Sequence, residues 1–549
     1  MTPPTDQDFF DQWWDAAEPA LAVGLAGTYY APFFGKEGDT VEQRLTTAIA
    51  VVATLPAGGG GRRLFVPSSM YPYNASLVTF NTAVRMVREG GDPSVYDVQA
   101  YGAAGDGVTD DTTACQGAVN TAPPGATVYF PSGSYSITAL TVTKRLRIMG
   151  DGPERSKLVA RAGAVGPLVD LNPVTADNFY ALANLKIDLT SATGIVALRV
   201  RNLSDSIVTG LEVTRGAVGI DVVLTGTLTI RDCNLRNLDT AGVRIDGDGG
   251  GEIYLERCDI IRDIAGTLAV GVQLNRTTTT DTGGLYLTHA RVVRGTAGSI
   301  TRGYELKSTA GSATAVFAML SACVADGIVT AALDLNNVQN TRAMGSFLTT
   351  LAGGSACLIT GGQDHTLVGC WLDGGSAGVC LDLASSPLQV AAVGCRFNQG
   401  TALRVVGAPS GVVLAGNNYQ GATLTNDAAS LVQRLEQRDR LYAVKTPAAL
   451  VAGNNNDYDP GVADTLRLSG SGGGSTVTGI SAGSGSRRLR IINLGAVAIT
   501  LAHQDATSAA ANRLVSPTGA SVVLAGVDDV ADLEYDDSTV RWRIVNVLA

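Results

Sequence analysis

Residues 96–137 read YDVQAYGAAGDGVTDDTTACQGAVNTAPPGATVYFPSGSYSI. The stretch opens on a short strand at Tyr96–Val98. A turn punctuated by Gly102, Gly105 and Gly107 follows, then a helix over Thr112–Val119 with Ala114 and Ala118 on one narrow face. Asp110 or Asp111 is placed to accept from the free amides of that helix's first turn. Pro123-Pro124-Gly125 stops the helix, Thr127–Phe130 supplies a second strand, and Pro131 to Tyr135 turns the corner. A helix laid across the end of a stack of strands is a cap, so strands are expected to stack behind it.

Two strings in this stretch, D-V-x-A-Y-G-A-x-G-D-G-V-T-D-D-T from Asp97 and V-Y-F-P-x-G-x-Y from Val128, resemble the opening of the pectate-lyase-like right-handed β-helix superfamily. That superfamily includes polygalacturonases, pectate lyases and many bacteriophage tailspikes. The resemblance implies the fold and carries over no catalytic residue, because the matching part is a structural cap.

The rest of the chain fits a solenoid. Charged residues make up only 16% of the chain and glycine supplies 66 residues, which suits a long buried core with tight corners. From about residue 140 to 425 one motif recurs: an apolar strand, two bend residues and a second short strand, as in LTIRDCNL, IYLERCDI and AVGCRF. Aligned on Leu185, Leu211, Cys233, Cys258, Ala290, Cys323, Ser346, Cys370, Cys395 and Asn417, its spacings are 26, 22, 25, 32, 33, 23, 24, 25 and 22. A second row (Ala197, Gly219, Gly242, Gly271, Gly303, Ala332, Ala356, Gly378, Ala402) drifts with it at 22, 23, 29, 32, 29, 24, 22 and 24. Two rows drifting together predict an all-β, right-handed parallel β-helix of about ten coils. Five cysteines of the first row then point inward as a ladder of small apolar thiols. Cys357 and Cys380 belong to the second row and Cys115 to the cap helix. With no C-x-x-C and no Cys/His cluster, neither zinc nor a disulfide framework is expected. No cofactor or metal is expected at all.

Five regions follow. Residues 1–38 carry paired aromatics (Phe9-Phe10, Trp13-Trp14, Tyr29-Tyr30, Phe33-Phe34) that either pack on the next segment of this chain or anchor it to another protein. Residues 39–95 echo the cap: Asp39-Thr40-x-x-Gln43, a helix over Arg44–Val52, and Leu64 to Tyr71, offset by 64 residues from the copy ending at Tyr135. Residues 96–425 form the β-helix and 426–444 a helical neck, LVQRLEQRDRL from Leu431. Residues 445–549 read as short strands with glycine turns, a β-sandwich similar to C-terminal domains of phage fibre and spike proteins.

The stretched spacings place extra residues at Thr277–Gly284, Gly295–Thr301 and Ser308–Ala315. Lengthened loops on neighbouring coils wall a groove beside a flat strand face. Outward positions of the second row are Arg199, Asp221, Arg244, Gln273, Glu305 and Asp334; those of the first include Glu212, Asn234, Asp259, Arg291 and Trp371. Hydrolysis of a glycoside needs two carboxyls, about 5 Å apart for retention or 6.5–9.5 Å for inversion. Glu305 and Asp334, on adjacent coils, are the candidate catalytic pair; Glu212 and Asp259, two coils apart, are the alternative. Gln273, Arg244, Asp221, Arg291 and Trp371 are candidate substrate-binding residues. A solvated, mixed-charge face is the competing reading of all of them.

The polygalacturonase motifs N-T-D, D-D, G-H-G and R-I-K are missing at matching coils, and Gly362-Gln363-Asp364-His365 departs from the family's histidine segment. Asp246 to Glu252 is acidic and glycine-rich without calcium-loop spacing, and reads as a turn. Only three histidines occur (His289, His365, His503), which disfavours a His-based hydrolase. A net charge of −10 argues against nucleic acid, and no run of about 18 apolar residues suggests a membrane span. The start MTPPTDQDFFDQWWD lacks a secretion signal.

The resemblance implies a virion tailspike or fibre, made in the host cytoplasm. It would be a homotrimer joined to phage tail or baseplate proteins through residues 1–38. It would bind host surface polysaccharide, with or without cleaving it. Two other classes stand beside this: a purely structural or decoration fibre, and a bacterial polysaccharide lyase or hydrolase.

Overall fold

The computed structural model describes residues 28–30, 38–54, 62–66, 70, 73–88, 92, 94–223, 226–246, 251–277, 283–309, 314–351, 353–406, 409, 411–420, 422–424, 432–434, 444–460, 465–481 and 487–548. The chain divides into two units. One runs to Ala391 with Cys395–Ser410 and Gln420–Ala429; the other comprises Ala392–Gly394, Gly411–Tyr419 and Ser430–Ala549.

Most of the proposed anchor, including Phe9, Phe10, Trp13 and Trp14, lies outside the described residues. The part that is described pairs within the chain: Thr28–Tyr30 forms a parallel strand on Arg62–Val66, and Tyr29 is buried. Helix α1 (Val41–Thr54) begins with a reciprocal cap. The Thr40 amide donates to Gln43 Oε1 at 2.8 Å, and the Gln43 amide donates to Thr40 Oγ1 at 3.2 Å. Leu45, Ala48, Ile49 and Val52 form its buried stripe. The helix-then-strand order expected for 39–95 is present.

In the second cap the two aspartates divide the work differently from the expectation. Helix α2 spans Thr112–Thr121. Asp110 accepts from the Thr112 amide at 3.0 Å. Asp111 turns away and holds the glycine turn, accepting from the amides of Ala104 (2.6 Å), Gly105 (3.2 Å) and Ser136 (3.3 Å). Its carboxyl is 1% exposed, and burial raises it above the usual carboxylate range despite those amides. The glycine turn and the strand Gly133–Ile137 are thus tied to a single side chain.

Behind the cap the strands stack as a right-handed parallel solenoid with three faces. One face is a sheet of fourteen strands, from Tyr96–Asp97 to Val432–Arg434. The other two belong to one larger sheet and form a short-strand column and a long-strand column. The expected ten or so coils are therefore an undercount. Strands Tyr96–Asp97, Thr127–Phe130 and Arg147–Gly150 are rungs too, but the cap interrupts the repeat there. At the far end Val432–Arg434 is a strand pairing with Val412–Leu414, where a helical neck was expected; the rest of the neck lies outside the described residues, apart from Val444.

The bend between the fourteen-stranded sheet and the short-strand column is set by one residue per coil. Asn184, Gly210, Asp232, Arg257, His289, Ala322, Gly345, Gly369, Gly394 and Gly416 all have φ between 50° and 63°. Each immediately precedes a member of the predicted first row. The cysteine column follows from the backbone register. Asp259 N donates to Cys233 O (2.9 Å), Arg291 N to Cys258 O and Arg396 N to Cys370 O (both 2.8 Å). All eight cysteines are buried free thiols. The thiols also cover carbonyls of the preceding coil, as in Cys258 Sγ to Ile230 O at 3.4 Å. The second row holds as predicted except at one rung. Cys357 pairs with Leu381, so Cys380, not Gly378, continues it. Its glycines are sterically required: a Cβ on Gly271 would stand 2.4 Å from Val292 Cγ1 and 2.6 Å from Gly303 O.

In residues 444–548 the predicted strands recur, in a six-stranded and a four-stranded sheet that share a core of Leu466, Leu489, Ile491, Leu533 and Trp542. A β-sandwich was expected, and the strand pairing is mixed: Thr465–Leu468 pairs parallel with Arg488–Asn493, and Ser475–Val477 parallel with Ile499–Leu501. Antiparallel pairing appears where Val522–Leu524 meets Ile499–Leu501 and where Val530–Asp536 meets Arg488–Asn493 and Arg541–Leu548.

Candidate functional site

The outward positions of the long-strand column lie in strict register. Asp170, Arg199, Asp221, Arg244, Gln273, Glu305 and Asp334 follow one another, one per coil. Adjacent strands lie roughly 4.8 Å apart, so each side chain reaches its neighbours along the axis. Asp221 sits between Arg199 Nε and Arg244 Nε, each at 2.8 Å, and is 1% exposed. One position further along the same strands, Arg201 holds Asp170 at 2.7 Å.

The expected pair, Glu305 and Asp334, is brought together on adjacent coils further along the row, and both are buried. Arg302 lies between them, with Nε 3.4 Å from Glu305 Oε1 and 2.8 Å from Asp334 Oδ2. Those two carboxylate oxygens therefore lie no more than about 6 Å apart. Lys307 Nζ approaches Glu305 Oε2 at 3.2 Å, and Gln273 Nε2 donates to the same oxygen. Burial raises the Asp334 carboxyl, against the pull of Arg302. The two carboxyls thus have different surroundings: burial dominates at Asp334, while Glu305 lies against two cations and an amide.

Arg302 is the residue the sequence reading missed. A signal was available: its register position is held elsewhere by Val196, Val218, Ala241, Val270, Ala331 and Ser355, and only this coil carries a charge there. Lys307 was missed for a different reason, since it lies two residues beyond the outward position chosen in each coil.

The alternative pair is not brought together. Glu212, Asn234 and Asp259 occupy successive coils, and each carboxylate has its own cation: Lys186 Nζ is 2.6 Å from Glu212, and Arg291 Nη1 is 3.3 Å from Asp259. Trp371 lies farther along this short-strand column, 5.4 Å from the Phe347 ring and under the Arg396 guanidinium at 3.8 Å. The Phe347 ring and the Arg396 guanidinium thus flank the indole along the axis.

Two of the three expected insertions are connections in the chain: residues 277–283 and 309–313 join the long-strand column to the fourteen-stranded sheet. Most of their length lies outside the described residues, as do 247–250 of the acidic turn. The third insertion, Gly295–Thr301, lengthens a strand instead: Ser299–Ser308 has ten residues and pairs with Thr267–Arg276. Among the described residues no group of three His, Cys, Asp or Glu side chains is arranged to hold a metal ion. Among them, too, no helix is long and apolar enough to cross a membrane.

A parallel β-helix with a capped N-terminal end and a polar outer face defines the class. Residues 95–178 match the family model "Rhamnogalacturonase A/epimerase, pectate lyase-like", so the chain carries a pectate-lyase-like β-helix. Over 67 residues it is 40% identical to the mannuronan C5-epimerase AlgE2 of Azotobacter vinelandii, covering 10% of this chain and 7% of that protein. The chain thus spans a small fraction of the curated relative's length. Among solved structures, the A-module of the Azotobacter vinelandii mannuronan C-5 epimerase AlgE6 is 18% identical, with a TM-score of 0.46, over 62% of this chain and 97% of that one. Bacteriophage CBA120 tailspike protein 3 is 11% identical, with a TM-score of 0.45, over 82% and 69%.

Proposed function

We propose that this protein is a particle-borne spike that binds a host surface polysaccharide along the long-strand face. The observation that carries the reading is the run Asp221, Arg244, Gln273, Glu305 and Asp334. Five successive coils present polar side chains held by protein partners: Asp221 by Arg199 and Arg244, Glu305 by Gln273, Arg302 and Lys307, and Asp334 by Arg302. A rigid row of donors and acceptors suits a hydroxyl-rich chain, because little side-chain freedom is lost on binding. The sugar-directed names of the matching family model and of the curated relatives support the same ligand class. The particle-borne role, the homotrimer and the tail contact through residues 1–38 rest on the sequence resemblance.

A second reading, cleavage of the bound chain, is favoured by the raised Asp334 carboxyl beside the compensated Glu305. In it Asp334 donates the proton to the leaving oxygen, and Glu305 acts as nucleophile or base. One assay separates these from a scaffold role. The purified protein is incubated with host capsule or lipopolysaccharide, and retention and chain length are measured for the native protein, Glu305→Gln and Asp334→Asn. Retention without shortening supports binding alone. Shortening that both variants abolish supports cleavage. Neither retention nor shortening leaves the structural-fibre reading.

A further inference from the structure

The solenoid interior is lined by apolar side chains, and one column of the fourteen-stranded sheet departs from this. Leu228, Ile253, Leu285, Ala318, Thr341 and His365 follow one another in register, and all are buried. Thr341 is 2% exposed and His365 1% exposed. Among the described residues neither Thr341 Oγ1 nor either imidazole nitrogen has a partner within hydrogen-bond geometry. The column's other hydroxyl, Ser206, is satisfied: it donates to Ser204 O at 2.7 Å and accepts from Tyr180 N at 3.1 Å. An unpaired polar group at such depth is costly, and here two such side chains stand opposite each other on adjacent strands.

Side-chain size changes along the same column. The large side chains of Leu228, Ile253 and Leu285 are followed by the smaller Ala318 and Thr341 beside His365. The backbone of Gly361 lies close enough to favour the protonated ring, against the effect of burial. A neutral ligand of one or two heavy atoms, able both to donate and to accept, fits this lining. A metal ion does not, since a single imidazole and a hydroxyl supply too few ligands. We propose that a structural water is bound inside the solenoid between Thr341 Oγ1 and one ring nitrogen of His365, bridging adjacent coils. Two protein partners lie within the range such waters ordinarily have.

The test turns on a sign. Thr341→Val removes one partner of the water while keeping the side-chain shape. If the water is present, the substitution lowers the denaturation midpoint of the native protein. In a His365→Leu background, where the apolar side chain displaces the water, it raises the midpoint or leaves it unchanged. If the site is dry, Thr341→Val deletes an unpaired hydroxyl from an apolar core and raises the midpoint in both backgrounds, which overturns the proposal. Should His365→Leu fail to fold, a crystal structure of the native protein decides. Density for a solvent atom within hydrogen-bond distance of Thr341 Oγ1 and a His365 nitrogen is expected, and its absence in well-ordered surroundings refutes the site.

Discussion

Acidification should weaken the solenoid at His365, and the loss can be worked out in advance. The ring is buried, and burial lowers its pKa from the usual 6.5 to about 4, with nearby Asp364 pulling weakly the other way. Between those values the unfolded chain takes up a proton that the folded chain refuses. Stability from this group is therefore fully present above 6.5 and is lost as the pH falls toward 4. At about 1.36 kcal/mol per pH unit, the loss amounts to about 3 kcal/mol by pH 4. Asp97, Asp111 and Asp334, raised by burial, titrate nearby with the opposite sign: their protonated forms favour the fold as the pH drops. The measurement must therefore be a difference. Urea midpoints at pH 7, 5.5 and 4 are compared between the native protein and His365→Leu. The native protein should lose about 3 kcal/mol more than the variant over this interval. Parallel pH profiles would refute the reasoning.

Three further outcomes follow from the described contacts. Gly271→Ala forces a Cβ to 2.4 Å from Val292 Cγ1 and 2.6 Å from a backbone oxygen, so it should destabilise the fold by at least the roughly 1–3 kcal/mol typical of overpacking, read as a lowered denaturation midpoint. Ala322→Gly relieves a left-handed alanine at φ 51° and should stabilise by a few tenths to about 1 kcal/mol, whereas Gly345→Ala, at φ 54°, should cost about 1 kcal/mol by the same measurement. Arg302→Ala leaves Glu305 and Asp334 buried without their shared cation; it should cost about 3 kcal/mol or more and weaken polysaccharide retention, while Arg488→Ala, on an exposed pair, should change neither.

Where the sequence repeats a local rule, the fold could be read from it. The two bend residues recur because each coil needs one left-handed position, and the following small residue must fit inside the corner; aligning on that dipeptide recovered the column from Leu185 to Asn417. The rule fails where another constraint acts on the backbone. Helix α2 separates the first rungs, so Tyr96–Asp97 and Thr127–Phe130 carry no recognisable spacing. At Gly378 a glycine-rich corner mimics the small residue of the second row, and only strand pairing shows that Cys380 occupies it. The candidate site was half legible. Alternation gave Gln273, Glu305 and Asp334. Arg302 departs from alternation because the strand pairing shifts between Ile300 and Arg302. His365 was weighed only against a motif, because whether a histidine points into or out of a coil depends on register, which composition does not reveal.

The left-handed bends donate their amides to the coil that follows, as Asn184 N does to Thr209 O and Asp232 N to Glu256 O, so each turn leans on its neighbour rather than on a distant part of the chain. Growth of such a molecule is therefore quantised. A duplicated stretch of some two dozen residues inserts one whole storey, adds about 4.8 Å of reach and leaves both neighbours undisturbed. Natural variation in this chain's length should come in those steps, making the solenoid a ruler that selection can extend one division at a time.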